Sequence, residues 1–219
     1  MNIERDVFKR SRCDYDKLES YGFKKENDFY SFESSFVSDF NAIIKVDNNG
    51  NVSGKVIDSL TGEEYINIRT EMSGEFVNKV RDAYKSLLID IKNNCFNDRK
   101  FISDQSNRIA SYIKKTYSND PEFLWEDTPG CGVFRNAKTK KWYGIIMNVD
   151  YSKLDNKTGE IEVMNVKLRE NEILELVGKP GLYKAYHMNK KSWISIVLND
   201  TLDDEIIFSL IDESYQLVS

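Results

Sequence analysis

The sequence predicts an α+β protein of two domains with antiparallel sheets. Short strands that alternate apolar and polar residues, separated by turn residues, are typical of antiparallel pairing. Between the two strand-rich halves lies one long segment in which apolar residues recur at helical spacing. The sequence lacks the regular alternation of single strands and helices that βαβ units require, so a parallel doubly wound sheet is not expected.

The first domain, residues 1–95, is expected to be an antiparallel meander packed on a long helix. Two short helices at 2–10 and 14–21 each begin at a polar residue suited to capping, and Gly22 ends the second. Four strands are predicted next, at residues 29–37, 40–46, 52–60 and 65–69. The long helix is predicted over 74–95, because its apolar residues form one buried stripe.

The second domain, residues 104–219, is expected to follow the order helix, three strands, helix, two strands, helix. The boundary is placed in residues 96–103, which are polar and show no periodic pattern. Asp104 is predicted to cap the first helix, and Thr201 with Asp204 resembles a capping box before the last one. The strands are predicted at residues 133–135, 142–149, 160–168, 182–187 and 193–199, and the later helices at 170–177 and 203–218.

Composition and cysteine usage indicate a globular protein of a reducing compartment. Hydrophobic residues make up 40% and charged residues 31% of the 219 residues, as in many globular chains. The three cysteines are widely spaced and do not suggest a disulfide framework. No apolar run approaches the ~18 residues of a membrane helix, and residues 1–12 are too polar for a signal peptide. We therefore expect a cytoplasmic protein that has no membrane partner.

The sequence offers little for catalysis or cofactor binding. It has one histidine, His187, and no Cys-x-x-Cys pair, so a zinc site is not expected. It also lacks the glycine-rich loop of Rossmann and P-loop nucleotide sites. His187 has no carboxylate near it in sequence and is expected, by strand alternation, to pack beside Tyr183, while Cys131 has no evident base. We expect no enzymatic activity, no catalytic residue, no metal and no cofactor.

The charge distribution leaves two interpretations open. The formal net charge is −5, whereas nucleic-acid-binding domains are usually basic. Residues 128–149 and 176–199 nevertheless contain four lysines or arginines each and no acid. These segments either form a basic face or place lysines on exposed hairpins, where they prevent aggregation through strand edges.

The C-terminal part of the second domain resembles a known family. Tyr186-His187-Met188-Asn189-Lys190-Lys191-x-Trp193 is followed by a strand and by a helix that contains Leu-Ile-Asp-Glu-Ser-Tyr at 210–215. This arrangement resembles the C-terminal signature of the MmcQ/YjbR family, and the segment 134–144 resembles the family's central hairpin. Ser192 and Gln216 depart from the pattern, since many relatives carry histidine and arginine there.

The resemblance implies a two-layer α-β(3)-α-β(2)-α domain with an antiparallel sheet, similar to type III secretion chaperones and CyaY-like domains. The first half then looks like an appended α+β domain found in some relatives. Family members are commonly described as DNA-binding because of a proposed double-wing shape. Fold alone does not fix a function, so this implication is an expectation for the present chain.

We therefore expect a non-enzymatic binding protein that contacts DNA through two basic hairpins. The tip of the second hairpin is predicted to be a tight turn at 188–191, in which Asn189 supplies a left-handed residue. The alternative is a protein-interaction or chaperone-like module without a nucleic-acid role, which receives a partner segment between sheet and helix. The oligomeric state stays open. The predicted nucleic-acid contacts are Arg135, Lys138, Lys140 and Lys141 on the first hairpin, and Lys184, His187, Asn189, Lys190 and Lys191 on the second.

Overall fold

The chain falls into two compact units, Met1–Arg99 and Lys100–Ser219. The computed structural model describes residues 2–37, 39–71 and 74–219. Each unit has its own hydrophobic core, and each is described by itself. Within the described residues, none of the helices combines the length and the apolar character that a membrane crossing requires.

The first unit contains three helices and six strands among its described residues. Its main sheet is antiparallel, in the strand order β2-β3-β4-β5, and β1 pairs with β6 in a separate two-stranded sheet. The helices are α1 (Ile3–Phe8), α2 (Tyr15–Tyr21) and α3 (Glu75–Cys95), and the strands are β1 (Ser11–Cys13), β2 (Lys24–Lys25), β3 (Phe29–Val37), β4 (Phe40–Asp47), β5 (Val52–Asp58) and β6 (Phe96–Asp98).

The predicted meander packed on a long helix is confirmed in this unit. The helix α3 buries one stripe of side chains, including Val80, Tyr84 and Leu88, in the same core as Ala42 and Ile44 of β4. Helical periodicity requires such a stripe when a helix lies against a sheet. The burial of apolar side chains on both elements therefore holds the helix on the meander.

Several details of the first unit differ from the sequence prediction, from which the short strands β1 and β2 are absent. Residues 65–69 do not form a strand; instead, Ile66–Arg69 is a 3-10 turn. The turn brings the Arg69 guanidinium inward, where Nη1 and Nη2 donate to the two carboxylate oxygens of buried Glu4 at 2.9 and 2.8 Å. The stretch 96–103, expected to lack a strand, begins with β6, which pairs with β1 in an antiparallel register.

The second unit contains one antiparallel sheet of six strands in the order β11-β12-β10-β9-β8-β7. Its helices pack against one face of this sheet, where they share a large core with the strands. The opposite face carries a smaller apolar cluster. The helices are α4 (Asp104–Tyr117), α5 (Glu170–Leu176) and α6 (Asp204–Gln216), and the strands are β7 (Glu122–Phe123), β8 (Gly132–Arg135), β9 (Trp142–Asp150), β10 (Glu160–Lys167), β11 (Leu182–Lys184) and β12 (Trp193–Val197).

The predicted end of the β11 strand is wrong, and the tight turn lies one residue later than predicted, at 189–192, where the Ser192 amide donates to the Asn189 carbonyl at 3.1 Å. β11 ends at Lys184, and residues 185–192, called here the β11–β12 loop, connect it to β12. His187 has a φ of 56°, a left-handed conformation that a strand does not accommodate. His187 is therefore exposed and does not share a strand face with Tyr183. Asn189 is not the left-handed residue; its Oδ1 accepts a hydrogen bond from the Lys191 amide at 3.0 Å.

The predicted helix caps of the second unit also need correction. Ser103, not Asp104, caps α4, and its Oγ accepts a hydrogen bond from the Ser106 amide at 3.0 Å. At α6 the cap position is Asp203, without a capping side-chain bond, so Thr201 and Asp204 form no capping box. The carboxylate of Asp204 instead accepts hydrogen bonds from side chains of α4.

Candidate nucleic-acid interface

The strand register brings the two predicted basic hairpins to the same end of the six-stranded sheet. Gly144 near the start of β9 pairs with Val166 of β10, and the next β10 residue, Lys167, pairs with Trp193 at the start of β12. The β8–β9 turn, residues 136–141, and the β11–β12 loop therefore emerge on either side of the end of β10. At the usual strand spacing, the starts of β9 and β12 lie about 10 Å apart.

The β8–β9 turn is a rigid support for three exposed lysines. Buried Asn136 accepts hydrogen bonds at Oδ1 from the amides of Lys138 at 2.9 Å and Thr139 at 3.0 Å. The Thr139 hydroxyl donates to the carbonyl of Val218 at 2.6 Å, which ties the turn to the end of the last helix. The three lysines on this support are Lys138, Lys140 and Lys141, all exposed.

Arg135 differs from these lysines because its side chain is already engaged. Its Nε lies 3.3 Å from a carboxylate oxygen of Glu122, and its guanidinium lies over the Trp142 ring at 5.7 Å from the centroid. The Nε–H group is buried and makes no hydrogen bond, so the contact with Glu122 is an ion pair without good hydrogen-bond geometry. Arg135 therefore braces β8 against β7 and β9 and is half-buried, whereas the lysines of the turn extend into solvent.

The β11–β12 loop presents the second group of predicted residues. Lys190, Lys191, His187 and Asn189 are all exposed. The Lys191 ammonium lies 3.7 Å from a carboxylate oxygen of Glu170, a loose contact in which both side chains are more than half exposed. The His187 ring contacts the ring of the preceding tyrosine at an interplanar angle of 56°, with centroids 4.0 Å apart.

Two buried polar side chains hold this loop in place. Asn165 of β10 and Ser195 of β12 face each other in the register, and both are fully buried. The Tyr186 amide donates to Ser195 Oγ at 2.9 Å, and the Tyr186 carbonyl accepts from Asn165 Nδ2 at 2.9 Å. Because β10 is not a neighbour of β11, the loop must fold back across β12 to make the second bond.

Acidic residues moderate the charge at this end of the sheet. Arg169, just after β10, lies 3.2 Å from Glu172 and 3.0 Å from Glu213. Burial first, and then the hydrogen bond with Glu172, raise the pKa of Glu213 above its ordinary value. Sequence reasoning missed Lys167, whose ammonium lies over the Trp193 ring at 5.6 Å. Its position at the end of a strand was the available signal.

Lys184 lies apart from the loop lysines, on the edge strand β11. It lines an open cleft of about 540 Å³ together with His187 and Lys190. The structure thus divides the predicted residues into three groups. Five lysines and Asn189 lie on the two connections, Arg135 braces the sheet, and Lys184 with His187 faces the cleft that Lys190 also borders.

The cysteines and the acidic residues offer no evident reactive centre in the described part of the chain. Burial raises the pKa of the Cys131 thiol to about 11, so little of it is thiolate at neutral pH. Across residues 2–37, 39–71 and 74–219, no group of three or more His, Cys, Asp or Glu side chains is arranged to hold a metal ion.

Comparisons with known proteins connect the second unit to other chains. The family model described as YjbR matches residues 115–217. A protein of Bacillus subtilis (strain 168), named "Uncharacterized protein YyaQ", is 37% identical over 110 residues, which are 50% of this chain and 93% of that protein. A crystal structure of a protein from Pseudomonas syringae is 36% identical with a TM-score of 0.50, covering 51% of this chain and 97% of that one. The family match includes both basic connections.

Proposed function

Because the chain belongs to the YjbR family through its second unit, we propose that it is a non-enzymatic protein that binds nucleic acid through the end of its six-stranded sheet. The observation that carries the proposal is the register, which puts the β8–β9 turn and the β11–β12 loop at the same end. Positively charged groups on adjacent projecting segments suit the spaced phosphates of a nucleic-acid backbone.

The proposed contacts are the exposed lysines of the two connections, of which Lys191 also makes a loose ion pair with Glu170. The lysines of the two connections contact phosphates, because their ammonium groups extend into solvent on supported backbone. His187 and Asn189 add hydrogen bonds from the loop. Arg135 does not contact the nucleic acid but supports the β8–β9 turn through its contacts with Glu122 and Trp142. The phosphate-contacting residues are Lys138, Lys140, Lys141, Lys190 and Lys191.

The acidic character of the remaining chain sets the expected strength and salt dependence. With a formal net charge of −5, the protein as a whole repels a polyanion, so binding depends on this local patch. Affinity is then moderate and falls steeply with salt. For five neutralised duplex phosphates, the log–log slope of affinity against salt is roughly −4.5.

Fluorescence anisotropy with labelled double- and single-stranded DNA across a salt series tests the proposal. The variant Lys190→Glu with Lys191→Glu is expected to reduce both the affinity and the magnitude of the salt slope. Lys24→Glu with Lys25→Glu is a matched control, because it reverses two adjacent exposed lysines of the first unit. An equal loss of affinity in both double variants would show that the effect comes from net charge alone. Unchanged affinity in Lys190→Glu with Lys191→Glu would refute the proposed interface.

A second candidate, a protein-interaction module, is favoured by exposed apolar residues beside the other edge strand. Phe123, Leu124 and Trp125 are 43%, 43% and 40% exposed and follow one another at β7. Consecutive exposed apolar residues at a sheet edge are suited to a protein partner. On this candidate function, Leu124→Ser with Trp125→Ser abolishes binding of a partner protein and leaves the affinity for DNA unchanged. The nucleic-acid interface instead predicts that Lys190→Glu with Lys191→Glu lowers the affinity for DNA and leaves protein binding unchanged.

A further inference from the structure

The open cleft beside β11 has the size and surroundings of a ligand site. Its volume of about 540 Å³ lies within the range of about 300–1,000 Å³ that is common for small-molecule sites. It is bordered by residues that follow β9, by residues that follow α5, and by β11 with its loop. Three separate segments of the second unit therefore converge on it.

The charged residues that line the cleft are all basic. Lys153 comes from the connection after β9, Lys184 from β11 and Lys190 from the β11–β12 loop. His187 adds an imidazole ring. The lining includes no aspartate or glutamate. Cationic groups that converge on a concave surface reinforce each other's field and attract an anion.

The nearest acid along the chain is occupied by other groups. A carboxylate oxygen of Asp155 accepts a hydrogen bond from the Tyr183 hydroxyl at 3.1 Å and lies 3.4 Å from the Lys157 ammonium. Asp155 therefore stabilises the wall that carries Tyr183, and a basic neighbour balances its charge. Asp150, outside the lining, has its pKa lowered mainly by hydrogen bonds from Ser152 and in smaller part by the charge of Lys153. Lys153 is therefore partly balanced, and the lining itself contributes only positive side-chain charges.

The remaining lining residues offer flat and apolar surfaces. Leu154 and Val177 are half-buried aliphatic residues of the lining, and Tyr183 and Tyr186 are its half-buried tyrosines. The Tyr186 ring packs on the His187 ring, and the Tyr186 backbone is fixed by the buried pair Asn165 and Ser195. Aromatic surfaces of this kind stack on nucleobases without strong base preference.

We propose that this cleft binds a nucleoside phosphate, with the phosphate among Lys153, Lys184 and Lys190 and the base against Tyr186 and His187. The ligand is either a free mononucleotide or one unstacked nucleotide of a single strand. The strand form rests on the proposed function, since it shares Lys190 with the interface, whereas the free form stands without it.

Calorimetric titration of the full chain with adenosine 5′-monophosphate, adenosine and inorganic phosphate tests the free form. The mononucleotide is expected to bind at least tenfold more tightly than either part, and more weakly as salt rises. Lys153→Glu should reduce this affinity at least tenfold. Lys115→Glu is the matched control, because it reverses an exposed lysine on α4 that does not line the cleft. Equal affinities for the three compounds, or equal loss in both variants, would overturn the free form.

A short single-stranded oligodeoxyadenylate, followed by anisotropy, tests the strand form. Loss of binding in Lys153→Glu but not in Lys115→Glu supports it, and binding that is insensitive to Lys153→Glu overturns it. Tyr186→Ala serves as a second probe, since truncating the ring should weaken binding while the salt slope stays unchanged.

The cleft and the sheet-end interface fail in different ways. Mononucleotide binding without any DNA binding would support the cleft as a ligand site and refute the proposed function. The opposite result is duplex binding that depends on Lys191 but not on Lys153, together with no mononucleotide binding. It would support the proposed function and refute the cleft as a ligand site.

Discussion

Ser195 Oγ donates a hydrogen bond of 2.5 Å to Asn165 Oδ1, and neither side chain is exposed to solvent. The two residues lie opposite each other on β12 and β10, on the sheet face away from the helices, among apolar neighbours. A buried polar pair is destabilising unless its remaining groups are hydrogen-bonded. Here those groups bind the Tyr186 backbone, so the pair fixes the loop that carries Lys190 and borders the cleft.

Ser195→Ala is expected to destabilise the second unit by about 1–3 kcal/mol, because it leaves a buried amide and a buried side-chain oxygen without a partner. Urea unfolding followed by tryptophan fluorescence measures this, since Trp125, Trp142 and Trp193 are the three tryptophans and all lie in the second unit. Faster hydrogen exchange at the Tyr186 amide should accompany the loss. Ser209→Ala, on the exposed side of α6, is the control and should shift the free energy by less than about 0.5 kcal/mol.

Strand alternation explains why most of the second unit could be predicted. In β12 the alternation of Ile194 and Ile196 with Ser195 and Val197 assigns opposite faces correctly, since the isoleucines lie in the large core and Val197 in the smaller cluster. A period of two is a local property, and a strand buried on both faces retains it. The order of helices and strands follows from such local patterns, except for the two-residue strand β7, a fourth strand before α5 that is absent from the prediction.

The β11–β12 loop could not be predicted in the same way, because a long-range contact determines where β11 ends. Tyr186 leaves the strand to bond with Asn165, which lies 21 positions earlier in the chain. The available signal was a polar residue in the middle of each of two apolar strands. Likewise, Lys153 belongs to a polar connection, and its proximity to Lys184 depends on the tertiary structure.

Arg69→Met is expected to destabilise the first unit by about 3 kcal/mol, because it leaves the Glu4 carboxylate buried without its cation. The Tyr84 hydroxyl, which donates to Glu4 at 2.5 Å, cannot replace a charged partner. Urea unfolding followed by far-UV circular dichroism measures the change. The unfolding midpoint from tryptophan fluorescence, which reports on the second unit, should stay constant. Lys55→Met, which removes the exposed ion pair with Glu64, is the control and should cost at most about 1 kcal/mol.

The contribution of Glu4 to the pH dependence of the first unit should change sign in that variant. In the native protein, burial acts to raise the pKa of Glu4, but hydrogen bonds from Arg69 and Tyr84 outweigh it and hold that pKa below its ordinary value. Its contribution to stability is therefore present above about pH 4.3 and is lost as the pH falls through the lower folded pKa. Without Arg69, burial dominates and raises this pKa, so the contribution decreases as the pH rises above about 4.3. Unfolding free energies between pH 3 and pH 7 should diverge, and parallel profiles for the two proteins would contradict this account.

Glu170→Gln is expected to strengthen DNA binding about two- to fivefold at low salt, while the free energy of unfolding falls by at most about 1 kcal/mol. The carboxylate lies 3.7 Å from the Lys191 ammonium, so its removal releases a proposed phosphate contact, and exposed pairs contribute only about 0–1 kcal/mol. Glu175→Gln is the matched control, since it removes an exposed acid from the same helix. Anisotropy titrations of both variants, with the salt series repeated, measure the difference. An equal gain in the two variants would attribute the effect to net charge, and a gain confined to Glu170→Gln would assign it to Lys191.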